Sequence, residues 1–389
     1  LEVECWEVEG GGTDSGHPTF DNGQLTTAAV RSCSILPLLL PLLLHADDST
    51  RWHLGARVLG GFLAPHHASL WVMVDRHAWA AELHAERAFS GSRPWHTHYA
   101  GPRWGIGAMV LDAGSDVLGP AFRVLPYLVL PIVPGAPWQL ESCLGWGLGV
   151  VRDPFHRSEN AKQHAIGSTL NLAVRMGLSL RRSFGRHAID LGLSVDHLSN
   201  GAMQRPNLGI NVVGLNAGYT GALGRAPLPP GAVPRAARDS TWRSDRTIAF
   251  VVLNGGWNEV FPVGSGRRFV ASLSASGYHR VSAKSAVGAG LDLFHKASLR
   301  IAAPELADSP SVELLQAGVH LGWNLLLGNM ALQFETGTYL RTPVPERAVV
   351  YTRVGMRQRI TPKLFANLSL KSHFFVADHF EIGLGYRFR

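Results

Sequence analysis

The chain has 389 residues, a formal net charge of +7, and 17% charged against 46% hydrophobic residues. That balance excludes a disordered chain, and the 43 glycines lack the three-residue period of collagen. Beyond the N-terminal region no run of about 18 apolar residues occurs, which argues against a bundle of spanning helices. Lys and Arg stand singly rather than in a dense run with interleaved aromatics, so nucleic acid is not an expected partner. An anionic lipid surface accounts for the basic balance equally well.

Residues 1–30 are polar and Gly-rich. Arg31 then precedes the apolar stretch Ile35–Leu44, and His45-Ala46 follows it. A positive residue, a short apolar core and a small residue at its end predict a secretory signal peptide, so 1–46 is read as leader. Cys5, Cys33 and Cys143 are far apart and odd in number, which makes a disulfide framework or a zinc site improbable. His66-His67 and His96-Thr97-His98 lack partners at metal spacing and read as solvated loop histidines. No metal and no cofactor are expected.

From about residue 51 the chain alternates with period two. Leu170, Leu172, Val174, Met176, Leu178 and Leu180 form an apolar face, and Asn171, Ala173, Arg175, Gly177, Ser179 and Arg181 the other. Similar segments recur at 51–63, 77–87, 103–111, 118–132, 138–150, 167–181, 187–199, 211–222, 243–255, 267–279, 284–297, 312–326, 330–341, 347–360, 363–375 and 379–388. Long strands apolar on one side predict an all-β fold, an antiparallel transmembrane β-barrel of about 12–16 strands in residues 47–389. Closure satisfies every backbone polar group within lipid. Strands of a soluble sandwich are usually shorter. Gly224–Ser240 carries Pro227, Pro229, Pro230 and Pro234 and interrupts the pattern. It divides a half at 47–222 from strands at 241–389, and reads as a long turn within one barrel in preference to a boundary between two domains. Near the C-terminus Gly383, Tyr386 and Phe388 are similar to the closing-strand signal of bacterial outer-membrane proteins, with the usual terminal aromatic displaced by one residue, Arg389. That signal implies the barrel-assembly machinery as a partner and the Gram-negative outer membrane as the location. A homodimer is left open.

The stretch Asp196–Asn211 carries the chemistry. In 187–199 the odd positions Ile189, Leu191, Leu193 and Val195 form the lipid face, and His197 and Ser199 continue it. Asn211 shares the parity of Val213, Leu215, Ala217 and Tyr219 on the next strand. His197, Ser199 and Asn211 therefore fall on the outer surface at one end of a hairpin. Ser with His is the minimal nucleophile–base arrangement. Asn207 and Gly201 can supply donors to an oxyanion, with Asn200 a further substrate-binding position. The bland alternative is polar capping of strand ends at the headgroup level.

The pattern His-x-Ser-Asn, then Pro-Asn-x-Gly-x-Asn, with Ala165-Ile166-Gly167-Ser168 and Asn171 upstream, resembles the lipid A 3-O-deacylase (PagL-type) family. It is closest to the longer variants labelled acyloxyacyl hydrolase. The likeness covers about residues 140–222 well. It implies an outer-membrane barrel hydrolysing a fatty acyl ester of lipid A in lipopolysaccharide. Ser199 would be the nucleophile, His197 the base and Asn207 the oxyanion Asn, helped by the Gly201 backbone. The family's glutamate position holds Asn211, which can fix the His tautomer but supplies no negative charge. Asp196 should point inward, and Glu141 and Asp190 have no assigned place. The rival reading is a non-enzymatic barrel that binds lipid or conducts solutes. Inward Arg175, Arg353 and Arg357 would line a pore, or be paired within a plugged lumen, the preferred reading.

Overall fold

The computed structural model describes residues 52–89, 91–133, 137–223, 242, 246–346, 348–374 and 376–388. The expected leader 1–46, with Cys5 and Cys33, and the Pro-rich stretch 224–240 lie outside them. Alternation produces strands nearly where the sequence puts them. These are β1 (Trp52–Leu63), β2 (Ala78–Ala88), β3 (Arg103–Asp112), β4 (Pro120–Val133), β5 (Gln139–Val151), β6 (Leu170–Phe184), β7 (His187–Ser199) and β8 (Ile210–Ala222). There follow β9 (Thr247–Asn258), β10 (Arg268–Arg280), β11 (Ser285–Lys296), β12 (Leu315–Leu327), β13 (Met330–Arg341), β14 (Val350–Arg359), β15 (Leu364–His373) and β16 (Val376–Arg387). Two short helices matter below, α1 (Ala68–Trp71) and α2 (Pro94–His98).

The strands close into two antiparallel barrels, β1 to β8 and β9 to β16. β1 pairs with β8 from His53↔Ala222 to Leu63↔Val212, and β16 returns to β9, with Gly383 opposite Asn254. The expectation of one barrel is corrected to two. Period two fixes the face a residue occupies; it does not say which strand a given edge meets. In an eight-stranded barrel the interior is just wide enough for side chains to fill it.

The outward faces are apolar: Leu191 is 54% and Leu215 70% exposed on the first barrel, and Leu321 72% on the second. Their inward neighbours are polar and buried. In the first lumen Arg175 reaches Glu82 at 2.6 Å and Asp196 at 2.8 Å, and Arg123 reaches Asp196 at 2.5 Å. In the second, Arg353 meets Glu335 and Glu381, each at 2.7 Å, and Arg357 meets Glu335 at 2.6 Å. The three arginines weighed as pore-lining groups are thus ion-paired inside filled lumens. Arg359, which shares their parity, is exposed at the end of β14.

Where the two barrels meet, outward residues leave the lipid. Trp104 and Leu128 of the first form one buried cluster with Leu327, Met330, Leu332 and Met356 of the second. Tyr99 seals one end of this seam by donating its hydroxyl to the Leu326 carbonyl at 2.9 Å. Tyr386 and Phe388 lie on the outer face near the chain end, with ring centroids 5.2 Å apart.

Candidate active site

β7 and β8 are paired so that His197 stands opposite Asn211. On β7, Asp190, Ser194 and Asp196 are buried inward, while Leu191 and Leu193 are exposed outward. Parity therefore carries His197 and Ser199 to the outer wall, next to Asn211, as the alternation predicts. His197 Nε2 lies 2.8 Å from Ser199 Oγ, and its Nδ1 lies 2.6 Å from Asn211 Oδ1. An amide oxygen only accepts, so Nδ1 carries the proton and Nε2 is left to accept from the serine hydroxyl. Asn211 Nδ2 in turn donates to His66 Nδ1 at 2.9 Å. The four side chains form a hydrogen-bonded chain with one consistent direction.

His66 was legible only as a loop histidine. It follows β1, and closure against β8 brings it to Asn211; the backbone N–H of Ala64 also donates to the Asn211 carbonyl at 2.8 Å. Its neighbour His67 caps α1, accepting from the N–H of Ser69. Among the described residues no carboxylate completes the chain. Asp196 points inward to Arg123 and Arg175, Glu141 is held by Arg103 at 2.7 Å, and Asp190 by Arg57 at 3.3 Å.

The loop between β7 and β8 is folded upon itself. Gly201, Ala202 and Gly209 adopt positive φ (61°, 65° and 84°). Asn207 Oδ1 accepts from the N–H of Asn200 at 2.9 Å, which leaves the Asn207 NH2 group as its donor side. The Asn200 side chain donates to Ser168 Oγ and to the Gln204 carbonyl, both at 2.9 Å, and accepts from Gln204 N–H. Asn200 therefore shapes the loop, with its donors engaged. The upstream segment serves the same end: Ile166 bridges to Asn207, and a Cβ on Gly167 would meet the Arg205 carbonyl oxygen at 2.5 Å.

Fold and site together define a membrane barrel with a hydroxyl–imidazole–amide chain on its outer wall. Two family models match this sequence: lipid A 3-O-deacylase (PagL) over residues 79–220, and the C-terminal domain of acyloxyacyl hydrolase over residues 248–389. The two matches cover most of the chain, one on each barrel, and the chain belongs to this family of outer-membrane lipid A deacylases. A search of curated proteins finds no match. Among solved structures, a triple mutant of the Rhodopseudomonas blastica porin aligns at 8% identity over 87% of this chain and 100% of that one, with a TM-score of 0.17. Another mutant of that porin gives 8% identity, the same coverage and a TM-score of 0.18.

Proposed function

We propose that this protein is a serine esterase of the Gram-negative outer membrane that removes a fatty acyl chain from lipid A in lipopolysaccharide. The carrying observation is the 2.8 Å contact between His197 Nε2 and Ser199 Oγ on the outward face of the barrel. A lipid ester reaches such a site laterally, without entering the filled lumen.

Ser199 Oγ attacks the ester carbonyl carbon while His197 Nε2 takes the hydroxyl proton. Asn211 Oδ1, accepting from Nδ1–H, holds the ring in the tautomer that can act as base. The tetrahedral oxyanion is stabilised by the Asn207 side-chain NH2 and the Gly201 backbone N–H. Collapse breaks the bond to the sugar or hydroxyacyl oxygen, which receives the proton from His197. Water then attacks the acyl-serine, His197 again serving as base, and a free fatty acid leaves. Asn211 fixes the tautomer without charge, so the imidazolium lacks a carboxylate partner and the chemical step is slower than with an acid there.

The test is mass spectrometry of lipopolysaccharide incubated with detergent-folded protein and with Ser199→Ala. The expected result is loss of one acyl chain with wild type alone. Equal loss with both proteins would sink the mechanism.

A further inference from the structure

We propose that the second barrel is a brace for the loop carrying Gly201 and Asn207, and that Glu259 is the positioning residue through which it acts. This rests on the esterase reading for its catalytic consequence, and on geometry for the brace itself.

Glu259 follows β9 and is 4% exposed, yet its partners come from both barrels. One carboxylate oxygen accepts from the backbone N–H of Arg205, in the site loop, at 2.6 Å. The other accepts from Gly264 N–H at 2.6 Å and Gly266 N–H at 3.4 Å, in its own loop. Its backbone completes a clamp: Glu259 N–H donates to the Ala202 carbonyl at 2.8 Å, and the Glu259 carbonyl accepts from Arg205 Nε at 3.1 Å. A buried carboxylate is costly unless several donors satisfy it. Here the donors are found only if the two loops sit together, so the charge couples one position to the other.

Two further contacts fix the same loop, and a third ties its neighbour to the second barrel. A Cβ on Gly201 would stand 2.1 Å from the ring of Phe380, which faces outward from β16. Gly201 thus lies flat on the second barrel while its backbone turns at positive φ. Arg267 donates to Gln204 Oε1 at 3.0 Å, and Arg157, from the neighbouring loop of the first barrel, donates to the Val263 carbonyl at 2.5 Å. Ala202 holds a left-handed φ that a residue with a Cβ rarely adopts, and its carbonyl is the one clamped by Glu259. Ser199, His197 and Asn211 sit on strands of the first barrel. The oxyanion groups sit on a loop, and a loop needs external support to stay within catalytic tolerance.

The experiment compares wild type, Glu259→Ala and Glu259→Gln, each first shown to be folded by heat-modifiable gel migration. Hydrogen exchange of the peptide spanning 200–209 reads the brace directly. Faster exchange in Glu259→Ala is expected, with Glu259→Gln intermediate because it retains one acceptor oxygen. On an acyl ester, kcat of Glu259→Ala should fall about ten- to hundredfold with KM within about twofold, since misplacing a stabilising group costs the chemical step. Unchanged exchange, or loosened exchange with wild-type kcat, overturns the proposal. A wild-type protein that hydrolyses no ester brings down the esterase reading instead, and exchange then decides the brace alone.

Discussion

A Cβ at Gly209 would stand 2.8 Å from Cε1 of His197, and the φ of Gly209 is 84°. The glycine that begins the return from the site loop thus leaves the imidazole its room. Gly209→Ala should cost about 1–2 kcal/mol of stability through backbone strain. It should also lower kcat about tenfold or more by tilting the ring away from Ser199. Denaturant unfolding and initial ester-cleavage rates check the two effects separately.

Asn211 has an acceptor toward His197 and a donor toward His66. Replacing it with Ala frees the imidazole to take either tautomer, and kcat should drop about a hundredfold. Asn211→Asp keeps the acceptor, adds the missing charge and requires His66 to present Nδ1–H. It should therefore raise kcat about three- to tenfold, at a charge-assisted bond's strength over a neutral one. A pH–rate profile whose acid limb, set by His197 as the base, fails to move to higher pH in this variant would contradict the assigned chain.

Arg353 stands against three carboxylates, Asp292, Glu335 and Glu381, inside the second barrel. Arg353→Met should destabilise that barrel by about 3–5 kcal/mol because it strands buried charge. Planar bilayers containing the wild type should show no steady conductance. Open-channel steps altered by Arg353→Met would restore the pore reading.

His96, expected from the sequence as a solvated loop histidine, is instead in α2 and buried against Phe89 at 4.8 Å between ring centroids. Burial, with Arg93 nearby, pushes its pKa down to about 4. The unfolded chain, with an ordinary histidine value near 6.5, binds the proton first. Stability from this group is therefore full above pH ~6.5 and is lost as the pH falls towards ~4. The urea midpoint should decline across that window, and His96→Gln should flatten the decline.

Every strand and both faces of the site hairpin were legible because alternation is local. His187–Ser199 and Met330–Arg341 coincide with their sequence-read spans. Ser199, His197 and Asn211 could be grouped because a two-residue spacing and a shared parity survive folding. His66 could not, since only closure of β1 on β8 brings it to Asn211. Glu259 was invisible for a similar reason: its partners lie 54 and 57 positions upstream, at Arg205 and Ala202. The division into two barrels was hidden because Leu128 and Leu332 alternate as lipid-facing residues do, and only their burial in the seam sets them apart.

Because both barrels belong to one chain, the seam between Leu128, Leu332 and Met356 has a fixed one-to-one stoichiometry. Two separate chains with this contact would come apart as they were diluted in detergent or in a lipid-rich membrane. Tethering replaces their bulk concentration with a constant local one. The fraction of molecules with a supported site loop should accordingly be independent of expression level, and each copy should work alone.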